Sequence, residues 1–217
     1  MIQTEFPYVV MGLLDPRSIA FVIGQALRRQ GARVIYTVQN ERMKRLFFDR
    51  AKVLSQEEKA GLTIRFCDVT DETQVQKVFG EFSNVAGVVH SIAFANPKTC
   101  LGEEFHTDAV DDLKKGFHIS AVSLSTVARF AVPAMPEGGS IVTMSFDTQH
   151  VYPHYNWMGV NKAALEAVVR ALARRHGRDR VRVNAVSAGP LSTLAAQAIP
   201  GFGELSKTWT ARSPLPW

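Results

Sequence analysis

The chain has 217 residues, 46% of them hydrophobic and 21% charged, with a formal net charge of +5. That composition can bury one sizeable core near the upper size of a single domain, and it excludes a disordered or fibrous chain. No run approaches the roughly eighteen apolar residues of a membrane helix. The basic excess is small and dispersed, with no zinc-finger, arginine-rich or stacking signature, so nucleic acid is not indicated; attraction to an acidic partner or an anionic cofactor is.

Residues 1–10 carry Glu5 and lack a basic leader with a small-residue cleavage site, so they read as the start of the domain and not as a signal peptide. Tyr8 to Met11 is the first strand. Ser18 to Gln30 then sets Ile19, Ile23, Ala26 and Leu27 on one helical stripe that Gly31 closes. Between them, Gly12 and Arg17-Ser18-Ile19-Ala20 put a tight turn beneath a helix amino terminus. Its free amides suit either a pyrophosphate or a simple helix cap. The G-x-G-x-x-G spacing is absent, because Leu13-Leu14-Asp15-Pro16 occupies the place of the further glycines.

Arg33 to Val38 is the second strand, followed by Gln39 and a polar helix expected from Glu41 to Lys59. In a dinucleotide domain this strand end faces the adenosine ribose. Neutral Gln39 suits ribose hydroxyls, whereas Arg42 and Lys44 suit a 2′-phosphate; a solvated helix start explains the same residues. The third strand, Leu62 to Phe66, leads to Asp68-Val69, which fit either an adenine edge or a turn, and Asp71 caps the helix carrying Val75, Val78 and Phe79.

Ala86 to His90 is a fourth strand, apolar up to the histidine, which reads as a hydrogen-bonded structural residue in preference to a catalytic base. Small residues in Ser91-Ile92-Ala93-Phe94-Ala95 let the chain pass close to a flat ligand, with Ile92 and Phe94 as apolar walls. A long helix is expected from Asp111 to Ala134, then a fifth strand from Gly139 to Ser145, a helix from Lys162 to Arg175 and a sixth strand from Val181 to Val186. Alternation of this kind predicts an α/β, Rossmann-like, doubly wound parallel sheet of order 3-2-1-4-5-6, with its cleft between strands one and four. After Gly189 the pattern loosens into helix and loop, expected to lie over the cleft. Cys67 and Cys100 fit neither a zinc site nor a disulfide framework; they read as separate thiols in a reducing, cytoplasmic setting, and no metal is expected.

The chemistry is expected at Tyr155 and Lys162, seven residues apart. Two helical turns bring a phenol and an ammonium onto roughly one face, where the phenol can donate to a substrate carbonyl and the ammonium can hold a cofactor ribose. Phe146, Trp157 and Met158 read as pocket walls, as core, or as both.

Met11-Gly12 with Arg17-Ser18-Ile19-Ala20, Gln39-Asn40-Glu41-Arg42, Asp68-Val69, the His90 to Ala95 stretch, Tyr155-Asn156-Trp157-Met158-Gly159 with Lys162, and Arg182 to Pro190 together closely resemble the enoyl-[acyl-carrier-protein] reductases, a divergent branch of the short-chain dehydrogenase/reductases. The seven-residue step separates that branch from ordinary members, where it is four. The resemblance implies a cytoplasmic homotetramer of fatty acid biosynthesis that reduces the trans-2 double bond of a thioester on acyl carrier protein, with NADH, or NADPH, as hydride source. It implies Tyr155 as the group stabilising the enolate and Lys162 as ribose anchor. Gly12, Ser18, Ile19, Gln39, Asp68, Val69, Ser91, Ile92, Ala93, Leu191 and Thr193 are then expected around the cofactor. Phe94, Phe146, Met158, Ala195, Ile199 and Phe202 are expected around the substrate, with 190–210 as a substrate-binding helix and loop of a single 1–217 domain. Phe146 stands where most members have a second aromatic hydroxyl, and with Asn156-Trp157-Met158 it is similar to the mycobacterial long-chain branch; Ser91 to Asn96 is closer to the ordinary bacterial one. Members also continue past the position of Trp217 with a helix and a final strand, so a shortened or degenerate reductase is one expectation. A noncatalytic dinucleotide-binding homologue and a dehydrogenase acting on another carbonyl substrate are the alternatives.

Overall fold

Runs such as Val9-Val10, Val34-Ile35-Tyr36-Thr37-Val38 and Val88-Val89 lack polar alternation, and each becomes a strand buried on both faces. In the computed structural model, which describes residues 2–215, β1 (Tyr8–Met11), β2 (Val34–Val38), β3 (Thr63–Phe66), β4 (Gly87–His90), β5 (Gly139–Ser145) and β6 (Val181–Ser187) form one sheet of order β3-β2-β1-β4-β5-β6. Every pairing is parallel, and the register aligns Met11 with His90 and His90 with Thr143. The expected fold and strand order are therefore observed, with the winding reversing between β1 and β4.

α1 (Ile19–Arg29) crosses from β1 to β2, capped by Ser18, whose hydroxyl accepts from the Phe21 amide. The single polar helix expected over 41–59 does not form. It breaks into α2 (Glu41–Met43), a π-helical turn Lys44–Phe48, a loop, and α3 (Gln56–Ala60). Two local forces account for the break. Phe48 is fully buried against Phe21, and Ser55 with Glu58 makes a capping box that starts a new helix. The Lys59 ammonium then donates to the Asp49 and Ala51 carbonyls that the interruption leaves open.

α4 (Glu72–Gly80) starts at Asp71, which accepts from the Thr73 and Gln74 amides as expected. The long helix before β5 is one rod in three parts: α5 (Val110–Phe117), a π-helical turn His118–Val122 and α6 (Ser123–Ala131), ending in a 3-10 turn Val132–Ala134 that contains Pro133. α7 (Asn156–His176) begins six residues before Lys162, so Tyr155 is its N-cap and not a residue of a preceding loop; a 3-10 turn, Gly177–Asp179, leads into β6. The loose segment after β6 contains α8 (Leu194–Gln197) and α9 (Phe202–Arg212).

The main core lies between the sheet and α4, α6 and α7, built from Val88, Ile141, Val183, Leu124, Val127 and Leu165 among others. On the opposite face, α1 and the Phe48 turn cover β1 and β2. Beyond α1 that face carries an apolar groove of about 500 Å³ lined by residues that include Val89, Val142, Met144 and Val186. Among the described residues β3 and β6 are the sheet's two edges, and no helix is long and apolar enough to cross a membrane.

Candidate active site

At the carboxyl end of β1 the chain must turn sharply beside β4. Gly12 adopts φ +99°, and a Cβ there would stand 2.1 Å from the Ser91 carbonyl oxygen and 3.2 Å from Ile92. Only glycine allows this approach, which brings the predicted Gly12, Ser91 and Ile92 together. Asp15 fixes the rest of the turn. It is buried, its carboxylate accepts from the Arg17 amide and guanidinium, and its carbonyl accepts from the Ser18 hydroxyl at 2.6 Å. Ser18 is thus the helix cap, with Ile19 in the first turn of α1.

Gln39 and Asp68 meet at the ends of β2 and β3, where the Gln39 amide donates to the Asp68 carboxylate at 2.8 Å. Burial raises the Asp68 carboxyl, but hydrogen bonds from the Thr70 amide, the Thr70 hydroxyl and Gln39 outweigh it and hold the group below the usual range. Val69 is buried beside it. The Phe94 stretch is fixed by Ser120, whose hydroxyl accepts from the Phe94 amide at 2.8 Å and donates to the Phe94 carbonyl at 2.9 Å. Ala93 is exposed in this stretch.

Lys162 is 6% exposed, and its ammonium donates to the Met144 carbonyl at 2.7 Å. Burial pulls it down to about 8 from 10.5, while the Glu166 carboxylate acts in the opposite direction. Tyr155 is half-buried at the start of the same helix, and burial, then Tyr152, pushes its phenol up, so it is a protonated donor at neutral pH. Phe146 meets the Tyr155 ring edge-on with centroids 4.8 Å apart, and Met158 donates its amide to the Tyr155 carbonyl at 2.8 Å. Trp157 stacks on Phe105, 5.0 Å between centroids, and its indole donates to the Phe105 carbonyl.

His90 is fully buried between Thr143 and Ser123, at 3.0 and 2.8 Å. Burial and the Lys162 charge push it down to about 3, so it is neutral. A neutral ring with both nitrogens occupied is the structural residue expected from the sequence.

The segment after β6 is less convergent. Leu191 lines the open-face groove with Ile19; Thr193 caps α8, accepting from the Ala196 amide at 3.1 Å; and Ala195 is exposed. Ile199 is half-buried and Phe202 is buried. No cluster that could hold a metal occurs among the described residues.

The profile of the Enoyl-(Acyl carrier protein) reductase family matches residues 12–217. The chain belongs to that family. It is 39% identical over 212 residues to the enoyl-[acyl-carrier-protein] reductase [NADH] FabI of Bacillus subtilis (strain 168), covering 95% of this chain and 81% of that protein. It is 38% identical over 217 residues to the [NADPH] FabI of Staphylococcus aureus (strain MRSA252), covering 96% and 82%. The Bacillus cereus enoyl-acyl carrier protein reductase, crystallised with NADP+ and indole naphthyridinone, superposes with a TM-score of 0.88 at 37% identity, over 99% of this chain and 84% of that one. The Anaplasma phagocytophilum reductase in complex with NAD gives 0.86 at 36%, over 99% and 82%.

For a member of this reductase family, the donor set fits a dinucleotide. Gly12 lets the end of β1 pass directly against the Ser91 carbonyl, the α1 amino terminus follows it, and the Lys162 ammonium has three donors of which the Met144 carbonyl takes one. Four features of the site escape the sequence pattern. Glu166 lies one turn beyond Lys162, a spacing that signals a charged pair. Ser120 sits in a π-helical turn that no periodicity announces. Asp15 fills a turn where glycine is the usual signal. His154 precedes Tyr155 at φ +67° and packs its ring on Gly201.

Proposed function

We propose that the protein reduces the trans-2 double bond of an enoyl thioester carried on acyl carrier protein, as a cytoplasmic enzyme of fatty acid elongation. The observation that carries this reading is the pair Tyr155 and Lys162 at the end of β5, set within a chain of the enoyl-(acyl carrier protein) reductase family. Tyr155, a protonated phenol braced by Phe146, donates to the thioester oxygen as negative charge develops there. Lys162, fixed at one donor by Met144, uses its others on the nicotinamide ribose and keeps the local potential positive. Gly12, Ser18 and Ile19 hold the pyrophosphate; Gln39, Asp68 and Val69 hold the adenosine; Ser91, Ile92, Ala93, Leu191 and Thr193 line the remainder. The nicotinamide, when bound, supplies the hydride.

NADH is the proposed donor. Gln39 is neutral, and Lys44, which could meet a 2′-phosphate, is already paired with Asp49 at 2.7 Å. Phe94, Phe146, Met158, Ala195, Ile199 and Phe202 form the acyl slot, with 190–210 as its cover. Phe146 in place of a hydroxyl and Asn156-Trp157-Met158 are similar to the mycobacterial long-chain branch, whereas Ser91 to Asn96 is closer to the ordinary bacterial one, so acyl-chain length is left to the assay. A homo-oligomer, a tetramer as in that family, is the proposed assembly.

The test is steady-state oxidation of NADH and NADPH with enoyl thioesters of several lengths, by the parent and Tyr155→Phe. The expected result is turnover with NADH that falls about a hundredfold or more in the variant, in line with loss of one oxyanion donor. Tight NADH binding without turnover, indifferent to Tyr155→Phe, would identify a noncatalytic dinucleotide-binding protein. Preference for a β-keto thioester would identify a carbonyl reductase.

A further inference from the structure

Behind the tyrosine and lysine lies a carboxylate that the reaction itself does not use. Glu166 stands four residues after Lys162 on α7, and its two oxygens take different partners: the Ser145 hydroxyl donates to Oε1 at 2.7 Å and the Thr148 hydroxyl to Oε2 at 2.7 Å. Both hydroxyls belong to the chain leaving β5, and between them lies Phe146, the ring that meets Tyr155 edge-on. One carboxylate therefore ties the two sides of the Phe146 turn to the helix that carries Lys162. Charge-assisted bonds of this length are among the stronger side-chain contacts, and two from one group fix its geometry.

We infer that Glu166 is a positioning residue with two separable duties: it holds the Phe146 wall against Tyr155, and, one turn from Lys162 on α7 and anchored like it at the end of β5, it serves as the counter-charge to that ammonium.

The second duty follows from what surrounds the ammonium. From β4, His90 faces it as a neutral ring; from β5 it meets the Met144 carbonyl, which carries no net charge; at the start of its own helix stands the protonated Tyr155 phenol. Among the described residues the anion that acts on it is Glu166, one turn along the same helix, against the burial that drives the ammonium toward neutrality. Replacing that anion by a neutral isostere leaves burial unopposed.

The experiment is a pH titration of selectively labelled lysine by heteronuclear NMR on the protein without dinucleotide, with the Lys162 signal assigned from Lys162→Arg. The parent midpoint is expected near 8. Glu166→Gln is expected to lower it by about one pH unit, and Glu166→Asp, which keeps the charge, to leave it within a few tenths. The paired substitution Ser145→Ala with Thr148→Val keeps the carboxylate but cuts the tie, so the midpoint stays while KM for the enoyl thioester rises about tenfold with little change in NADH affinity. An unchanged midpoint in Glu166→Gln, or a midpoint that moves equally in Glu166→Asp, overturns the charge duty. An unchanged KM in the paired variant overturns the bracing duty. The KM readout rests on the proposed reaction, but the titration does not. A parent that fails to oxidise NADH while Lys162 titrates as stated would sink the reaction and leave the charge duty standing.

Discussion

The two faces of strands β4, β5 and β6 are chemically unlike. Along β5, Ile141, Thr143 and Ser145 point to the side covered by α6 and α7, and all three are buried; Ser140, Val142 and Met144 alternate onto the other side, where Val142 and Met144 line the open apolar groove. The covered face holds both the main core and the site's support: Thr143 fixes His90, Ser145 reaches Glu166, and Lys162 comes down from α7 onto a β5 carbonyl. The open face carries none of these. The buried hydroxyls of β5, Thr143 and Ser145, lie where packed helices remove water and supply partners, so the proposed site stands on the side that holds the main core.

The sharpest way to test that division is to remove the charge from the covered face. The folded-state value of Lys162 is depressed from 10.5 to about 8, so the unfolded chain holds this proton more tightly. Below about 8 the buried ammonium costs stability, and the cost fades as pH rises through the window from 8 to 10.5. Lys162→Met is expected to raise the unfolding free energy at pH 7 by up to roughly 3 kcal/mol while weakening NADH binding severely. Denaturant melts of both proteins at pH 7 and 10 check this; equal stabilities at pH 7 would show that the site carries no such tension. Next in size is the contrast between neighbours. Ile141→Ala, on the covered face, is expected to cost about 3 kcal/mol, and Val142→Ala, one residue along in the groove, less than about 1. Equal losses in urea melts would mean that the groove is filled in solution.

How much of this was legible beforehand depended on periodicity. The strands that cross the sheet centre, β1, β2 and β4, are continuous apolar runs, and alternation with amphipathic helices fixed their order through the handedness of crossovers. The step from Tyr155 to Lys162 was readable as two helical turns, although Tyr155 itself is the cap of a helix that begins earlier than its apolar stripe suggests. The interruption at Phe48 was not legible, since a polar, helix-favouring stretch gives no sign that one aromatic will be drawn into the core. Nor was the Ser120 bond to Phe94, or the meeting of His154 with Gly201, because both join segments far apart in sequence and depend on tertiary placement.

A smaller effect concerns acid. His90 is held neutral, at about 3 against 6.5 when unfolded, so its contribution to stability is complete above 6.5 and is lost as pH falls toward 3. At pH 5 the expected loss from this group is about 2 kcal/mol relative to pH 7. His90→Gln is expected to be less stable at pH 7, having lost the fit to Thr143 and Ser123, but its stability should lack this component of the slope between pH 6.5 and 5. An unchanged slope in the variant would assign the acid sensitivity to carboxylates elsewhere.

The smallest expected effect lies in the segment after β6 that contains α8 and α9. Gly201 opens α9 at φ +71°, and a Cβ there would stand 2.7 Å from the imidazole of His154, the residue before Tyr155. Gly201→Ala therefore combines a left-handed backbone strain with a side-chain collision, each worth about 1 kcal/mol. Because Phe202 is the one buried residue of α9, that strain is expected to release the helix locally and not to unfold the sheet. Trypsin cleavage after exposed Lys207 should accelerate severalfold, while the midpoint of global unfolding moves by less than a degree or so. A large drop in the global midpoint with unchanged cleavage would mean instead that α9 is integral to the core, and that the imidazole contact transmits its strain inward through the Tyr155 turn.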